Sequence, residues 1–442
     1  MTRSLRRDLY AVGAAAALVA AAVLVGRHIQ NRHHTLFVHW PPLLASWEPH
    51  GGPGTPAAVL VAIATVAYGP TVAARVSWRA LLPLAWGAAM AWVYSLALID
   101  GPQRGIARRL TTRHEYLQVI DRFHDIPAGL RDFTQHILLH SPDNWPAHVA
   151  GHPPAATLTF VLLDRVGLRG GGWAGVWCVT VGTTGCVAVL VAIRALAGEA
   201  LARRAAPFLV LAPAAVWMGT SADAYFAAVA AWAVALLARA ATGRSLWCAG
   251  ACGLLFGLTC YLSYGLTLVA LIAAAAVILG RHGFRERPAL LVPLLAGLAV
   301  VPSAFALAGF DWWEAYRLLV TRYHQGAGGV RPYGYWVWAN LACAVFITGV
   351  ATVAGLRRTG GLLVRHRGEV AERRLALLVS AAFLALLAAD LSGMSKAETE
   401  RIWLPFALWL LPSCALLTHP RVWLAAQATL ALLLNHLLFT GW

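Results

Sequence analysis

Three carboxylates occur close together in one polar stretch of the chain, between two long apolar regions. The stretch begins at Asp100, at the end of an apolar segment, and continues through Glu115 and Asp121 to Pro154. A carboxylate that is partly shielded from water can keep a raised pKa and act as a general base. We therefore treat these three acids as candidate catalytic residues, although a single acid at a helix end also fits a purely structural role.

Basic side chains that suit an anionic group occur in two distant parts of the sequence. His152 belongs to the motif HVAGHPPAATLTF, in which two prolines start a helix whose N-terminus attracts phosphate. Arg401 lies beside Glu398 and Glu400, which can orient its guanidinium toward a phosphate. A proline-capped helix start and a capping charge pair explain the same two patterns equally well. The candidate phosphate ligands are Arg401, His152, Arg331 and Lys396.

Aromatic residues that suit a sugar ring occur in the last third of the chain. Tyr323 and Tyr333 belong to a cluster of tyrosines and tryptophans that is also typical of an interfacial belt in membrane proteins. Asp223 lies in the polar turn MGTSADAYF between two apolar runs. We take Tyr323, Tyr333 and Asp223 as candidate contacts to a sugar or an acceptor.

No metal-ligand spacing accompanies these candidates in the sequence. The seven cysteines lie within or at the ends of apolar segments, without a CxxC pair, as is typical of small core residues. Four histidines between positions 28 and 39 lack an acidic or cysteine partner. We predict no metal site and no required cofactor, with a divalent cation as the alternative.

Membrane helices must position these residues. The chain is 59% hydrophobic and only 12% charged, whereas soluble domains are about a quarter charged. Its apolar runs of roughly 17 to 22 residues match helices that cross a hydrocarbon core of about 30 Å. The fold class is therefore all-α, a polytopic transmembrane protein of about 13–14 helices. The net charge of +16 comes from short arginine clusters between apolar runs, which indicates cytoplasmic loops and no nucleic-acid partner.

The arginine clusters divide the chain into three parts. Residues 1–99 form three membrane helices, residues 100–154 form an extracytoplasmic loop, and residues 155–442 form a helical bundle. Within the loop, HEYLQVIDRF has the apolar spacing of an amphipathic helix on the membrane surface. The short apolar piece from Ala155 to Leu163 leaves two possibilities open, because it can dip in and return or cross the membrane.

These features together resemble the GT-C superfamily of polytopic glycosyltransferases. The resemblance is carried by an acid at a helix end, surface helices, the HPP motif and the segment LAPAAVWMGTSADAYFAAVAAWAVALLARA. Protein O-mannosyltransferases and aminoarabinose transferases are the most similar subfamilies. RPYGYWVWAN and ETERIWLPF are similar to membrane glycosyltransferase-like proteins of actinobacterial envelopes. The chain departs from the family pattern in two features. It has two extra helices before Asp100, and it has one acid at that position, where an Asp-Glu pair is common.

The resemblance implies a function for the chain. It implies an inverting enzyme that transfers a sugar from a polyprenyl-phosphate donor, with Asp100 as the base. The acceptor is then a glycan, lipid or protein of the cell envelope, and the site faces outward from a bacterial plasma membrane. A secondary transporter or lipid flippase is the alternative, but transporters usually place ionisable residues at mid-membrane, whereas here they crowd the outer loops.

Overall fold

The computed structural model describes residues 3–365, without the side chain of residue 365, and 368–441. Helices make up nearly all of this described part, and its strands are two three-residue segments that pair with each other. Eight of its helices are long and apolar enough to cross a membrane, or nine if one bent pair is a single span. The predicted all-α, polytopic class is confirmed.

The first three long helices lie where the apolar runs predict them. Helix α1 spans Arg3–His33, strand β1 spans Ala45–Trp47, α2 spans Thr55–Arg75 and α3 spans Trp78–Ala97. Ser77 caps α3 by accepting a hydrogen bond from the backbone N–H of Ala80. A short 3₁₀ turn, Leu98–Asp100, continues α3 and brings Asp100 to its end.

Short helical pieces make up the polar stretch that follows. A π-turn spans Gln103–Ala107, and 3₁₀ turns span Arg109–Thr111, Tyr116–Phe123 and Phe133–His136. Helices α4, Ile126–Arg131, and α5, Ala147–Gly151, complete it. The predicted amphipathic segment is thus a 3₁₀ helix. Tyr116, Val119 and Phe123 are buried because this segment packs against the helix that begins at Pro154.

That next helix, α6, settles whether the short apolar piece crosses the membrane. It spans Pro154–Arg165, and 12 residues give only about 18 Å of length. At its far end the guanidinium of Arg165 donates to the carbonyls of Phe123 and His124, at 3.0 and 2.7 Å. Both ends of α6 therefore lie against the polar stretch, and α6 does not cross.

The middle of the chain forms the centre of the bundle. It contains α7, Gly170–Gly182; α8, Thr184–Leu196; α9, Glu199–Val210; α10, Ala215–Met218; α11, Ala222–Gly243; α12, Leu246–Leu262; α13, Ala270–Glu286; and α14, Leu291–Leu307. Buried residues make up 83% of the most apolar window of α11, against 11% for α1 and α14. Helix α11 is therefore central, and the other two present most of their apolar surface outward.

The last third adds a bent span and the C-terminal strand. Its elements are α15, Trp312–Gln325; α16, Ala327–Val330; α17, Tyr333–Thr348; α18, Val350–Arg365; α19, Val370–Leu391; α20, Thr399–Ile402; α21, Leu404–Leu410; α22, Pro420–Leu437; and β2, Leu438–Thr440. Helices α17 and α18 meet at 109°. Gly349 allows this bend because its φ of 83° is strained for other residues, and an added Cβ would meet Pro213 and Gln427. Strands β1 and β2 pair antiparallel.

Arginine contacts mark one end of the bundle, which we call the arginine face. Arg203 donates to the carbonyls of Ala73 and Val76, both at 2.8 Å, in the turn between α2 and α3. The start of α19 meets the end of α8 there, since Arg374 donates to the carbonyl of Leu196. These contacts bring together arginine clusters whose positions between apolar runs predict one common side. A further arginine-rich run, from Arg357 to Arg374, is also predicted to be cytoplasmic, and its residues 366 and 367 lie outside the described residues.

The opposite end, which we call the site face, carries the polar stretch and β1–β2. Two shorter apolar helical segments, Leu246–Leu262 and Leu404–Leu416, also belong to the bundle. By length and composition the described residues hold eight candidate spans, or nine with the bent pair, against the 13–14 helices predicted.

Candidate active site

A small cavity lies among the polar residues of the site face, with about 270 Å³ of empty space that includes its open mouth. Three parts of the chain form its wall: the polar stretch, the first turn of α11, and α20. The lining residues are Arg109, Leu110, Glu115, Tyr116, His148, Thr220, Ser221, Ala222 and Arg401. The structure thus brings Glu115 and Arg401, which are far apart in sequence, to one cavity.

Arg401 is the central cation of this cavity. Its Nη1 donates a hydrogen bond to Asp223 Oδ2, and the two side chains are only 6% and 7% exposed. Ser221 caps α11 by accepting from the backbone N–H of Asp223 at 3.2 Å, which holds that carboxylate in place. Asp223, predicted as a sugar or acceptor contact, is therefore the close ionic partner of Arg401.

His148 connects Arg401 to Glu115. The imidazole Nε2 lies 3.3 Å from Arg401 Nη2, and Nδ1 lies 2.9 Å from Glu115 Oε1. Because a guanidinium only donates, Nε2 accepts, and Nδ1 carries the proton that is donated to Glu115. The three side chains form a continuous chain of hydrogen bonds across the cavity.

Glu115 has one oxygen that this chain of hydrogen bonds leaves available. The residue is 4% exposed, and within the described part of the protein no hydrogen-bond donor lies within reach of its Oε2. A buried carboxylate oxygen without a donor is costly, so it favours a hydrogen bond from a bound hydroxyl group. Glu115 is the predicted catalytic acid that lines the cavity.

A second arginine extends the charged network away from the cavity. Glu398 Oε2 lies 3.4 Å from Arg401 Nη2, and its Oε1 lies 3.4 Å from Arg331 Nη1. Burial alone would raise the pKa of the Glu398 carboxyl, but the charges of Arg401 and Arg331 keep this pKa below its ordinary value. Arg331 also donates to the carbonyls of Leu36 and Lys396. Arg331 therefore reaches the cavity only through Glu398.

The remaining predicted residues near Arg331 support the backbone around it. Lys396 Nζ donates to the carbonyl of Gly328 at 2.8 Å, and its N–H donates to the hydroxyl of Tyr323. The hydroxyl of Tyr333 donates to the carbonyl of Leu391 at 3.2 Å. Lys396, Tyr323 and Tyr333 are not among the lining residues of the cavity.

Asp100 contacts the wall of the cavity from outside. Its carboxylate lies 2.9 Å from Arg109 Nη2 and 3.0 Å from His50 Nε2, and Arg109 is itself a lining residue. Arg109 also donates to the carbonyl of Thr440 at 2.7 Å. Asp100 therefore orients an arginine of the wall. Asp121 is exposed on the 3₁₀ helix Tyr116–Phe123 and does not line the cavity.

His152 supports the site through its contacts with His148 and Tyr116. Its Nδ1 lies 2.8 Å from the carbonyl of His148, and its ring packs edge-on against Tyr116. Burial lowers the pKa of His152 to about 4, so that the imidazole is neutral near pH 7. At that pH His152 does not supply the positive charge that the sequence interpretation assigned to it.

Three of the eight described non-glycine residues with a positive φ lie beside the cavity or its arginine. Thr220, Ala397 and Glu398 have φ values of 60°, 69° and 61°, in the left-handed region that β-branched residues and alanine rarely adopt. Thr220 precedes the cap of α11, and the other two precede α20. Strain of this kind costs about 1–3 kcal/mol per residue and clusters at functional sites. It therefore supports the assignment of this cavity as the site.

The sequence interpretation did not select His148 or Glu398 as site residues. His148 lies four residues before His152 in HVAGHPP, and Glu398 lies three residues before Arg401. Both spacings place side chains on one side of a helical turn, which was the available signal. Among the described residues, no group of three or more His, Cys, Asp and Glu side chains is placed to hold a metal ion.

Comparisons with known proteins give similarity in structure but not in sequence. No protein-family model matches the chain, and no curated protein matches it significantly in sequence. The structure is similar to that of the Archaeoglobus fulgidus oligosaccharyltransferase in complex with Zn and sulfate, with 12% identity and a TM-score of 0.37. The match covers 73% of this chain but only 49% of that one, so this chain spans about half its length. A similarity this low does not assign a family or an activity.

Proposed function

We propose that the protein is a membrane glycosyltransferase of the GT-C type. It transfers a sugar from a polyprenyl-phosphate donor to a hydroxyl of a cell-envelope glycan, lipid or protein. The site face then points outward from a bacterial plasma membrane, opposite the arginine face, as the positive-inside rule requires. The transfer requires no cofactor, and a divalent cation remains to be tested by chelation.

The observation that carries this proposal is the connection from Glu115 through His148 to Arg401 in one cavity. A glycosyl transfer needs a base for the acceptor hydroxyl and a cation for the leaving phosphate. Glu115 has a buried oxygen available for the first role, and Arg401 suits the second. His148 sets the spacing between them through its two ring nitrogens.

The proposed step is a single displacement with inversion at the anomeric carbon. The acceptor oxygen forms a bond to that carbon, its proton passes to Glu115 Oε2, and the bond to the phosphate oxygen breaks. Glu115 loses its negative charge in the same step in which the leaving phosphate gains one. The net charge of the cavity is therefore unchanged, which avoids adding charge in a poorly solvated site.

The other predicted residues have supporting roles in this proposal. Asp223 and Glu398 orient Arg401, and Arg331 and Lys396 keep the segment before α20 in place beside it. Tyr323 and Tyr333 lie along the same segment, where an incoming sugar or acceptor can pack against them.

The test compares Glu115→Gln with Arg401→Lys in purified full-length protein. Glu115→Gln should bind a polyprenyl-phosphate sugar normally and transfer it at least about 100-fold more slowly, since the amide keeps the shape and loses the base. Arg401→Lys keeps the positive charge that pairs with Asp223 but loses the planar, paired donors of the guanidinium. It should bind the donor roughly 30-fold to 150-fold more weakly, because a charge-assisted contact is worth about 2–3 kcal/mol. Transfer is measured with a labelled donor, and binding by native mass spectrometry.

Asp121→Asn is the matched control, because this acid belongs to the same stretch but is exposed. It should transfer at the wild-type rate. Full activity in Glu115→Gln would move the base to Asp223 or Asp100. Translocation of the lipid-linked sugar across vesicles without any transfer would instead show that the protein is a flippase or transporter.

A further inference from the structure

A second cavity lies on the arginine face, at the opposite end of the bundle from the candidate active site. Its volume is about 510 Å³, which is enough for a small ligand. Its walls come from the start of α1, the second half of α18, the start of α19 and the end of the segment Leu404–Leu416. The lining residues are Arg7, Arg357, Arg358, Gly361, Leu362, Glu372 and Leu416.

The charged groups around this cavity leave a net positive charge. Asp8 is fully buried and neutralises part of it, since its two oxygens lie 2.5 Å from Arg357 and 2.6 Å from Arg358. The carboxylate of Glu372 accepts a hydrogen bond from the backbone N–H of Glu369. Among the described lining residues and Asp8, three arginines against two carboxylates leave one positive charge, and Arg7 is exposed at the mouth. The cavity therefore suits an anion.

The surroundings of the cavity are those of a membrane surface. Helix α1 has 31 residues, so that it is about 46 Å long and extends beyond a hydrocarbon core of about 30 Å. Its first turns, with Arg7, then lie at the level of the lipid headgroups. The apolar side chains of Leu9, Tyr10 and Val370 are exposed beside the cavity at 45%, 68% and 58%. A ligand here meets arginines at one end and apolar surface at the other.

We propose that this cavity binds the phosphate of an anionic phospholipid, with its acyl chains along the exposed side of α1. Guanidinium groups are good ligands for a phosphodiester because they offer paired donors. Basic pockets between membrane helices on the cytoplasmic side are suited to such headgroups. This site is separate from the donor site, because the two cavities lie on opposite faces and share no lining residue.

Native mass spectrometry of the full-length protein with added lipid tests the proposal. Phosphatidylglycerol should be retained in preference to phosphatidylcholine, which has the same phosphate but no net charge. The double variant Arg7→Gln/Arg357→Gln should bind phosphatidylglycerol roughly 30-fold more weakly, from the contribution of two arginines near a membrane surface. It should melt near the wild-type temperature, because Arg358 still neutralises Asp8.

The control variant is Arg281→Gln/Arg285→Gln, which removes two exposed arginines at the end of α13. It should bind phosphatidylglycerol as the wild type does. An equal loss in this control, or equal retention of phosphatidylcholine, would show only a general attraction between charges and would overturn the proposal. Displacement of the lipid by an equal concentration of inorganic phosphate would overturn it too, by showing that the cavity takes a soluble anion.

Discussion

Arg401 is placed between carboxylates on two sides, and this decides what the candidate site can do. Asp223 and Glu398 both contact its guanidinium, and His148 accepts from it on the third side. A buried arginine with such partners cannot swing away without leaving charges unpaired, which costs about 3–5 kcal/mol. The site therefore presents a cation in a constant position to a leaving phosphate, as electrostatic catalysis requires.

Glu400, next to Arg401, gives a prediction of pH dependence. It is fully buried, and its Oε1 accepts from the backbone N–H of Leu44 at 2.9 Å. Burial raises the pKa of this carboxyl from its ordinary 4.5 to about 7. The folded protein therefore binds this proton more tightly than the unfolded chain, and its stability falls as pH rises from about 4.5 to about 7. The difference amounts to roughly 3 kcal/mol.

Thermal unfolding of the detergent-solubilised protein between pH 4.5 and 8 measures this effect. Wild-type protein should melt at a lower temperature as pH rises, whereas Glu400→Gln should lose most of this dependence because the amide does not titrate. Glu314→Gln, which changes an exposed glutamate in the first turn of α15, should behave as the wild type does. A pH dependence that persists unchanged in Glu400→Gln would contradict the assignment.

At the scale of elements, Asp100 joins three parts of the site face. It ends the turn after α3, binds Arg109 of the polar stretch, and Arg109 in turn donates to Thr440 in β2. The ring of Phe439, also in β2, lies 3.4 Å from the guanidinium carbon of Arg104 and 4.9 Å from that of Arg109. Asp100 therefore holds the polar stretch in position against α3 and the C-terminal strand.

Asp100→Asn separates this structural role from the catalytic role that the sequence predicts. We expect a lower melting temperature, because removal of one partner leaves a buried arginine unpaired at a cost of about 3 kcal/mol or more. Transfer per folded molecule should persist. Adding Arg109→Met to this variant should recover part of the melting temperature, since it removes the unpaired charge.

Asp132→Asn is the control for this experiment, because it changes an exposed acid in the same stretch. Its melting temperature should remain at the wild-type value. If Asp100→Asn melts normally and transfers nothing, Asp100 is the base and the sequence interpretation is right.

For the whole molecule, the two faces differ in the contacts that their charged residues make. Ion pairs and arginine–carbonyl contacts join helix ends on the arginine face, as between Arg421 of α22 and the carbonyl of Ala67 in α2. The site face instead buries its charges in networks around a cavity. Because α6 returns to the site face, the polar stretch and the loop before α7 lie on the same side.

Labelling of single introduced cysteines tests this arrangement in intact cells. His140→Cys and Arg169→Cys, both at exposed positions, should react with a membrane-impermeant thiol reagent, whereas Arg281→Cys should react only after permeabilisation. The native cysteines are buried or half-buried and provide the low background. Labelling of Arg169→Cys only after permeabilisation would mean that α6 crosses the membrane.

Composition and periodicity determined the class of this protein. A membrane interior requires long apolar helices that satisfy their own backbone hydrogen bonds, so hydropathy alone predicted an all-α polytopic chain with three helices in residues 1–99. Arginine clusters predicted the two faces, because their placement follows a charge rule that acts on short loops. Glu115, Arg401 and Asp223 were recognisable as candidates because charged residues are rare in such a chain.

Only the tertiary structure decided which candidates meet. Asp100 and Glu115 belong to one polar stretch and have the same chemistry, yet Asp100 pairs with Arg109 while Glu115 reaches Arg401 through His148. That difference depends on contacts between residues more than 250 positions apart, which no local pattern encodes. The 3₁₀ form of Tyr116–Phe123 and the return of α6 were decided in the same way, by packing of one segment against the other. Local spacing specifies which side chains share a face, but the partner that covers this face is set by the rest of the fold.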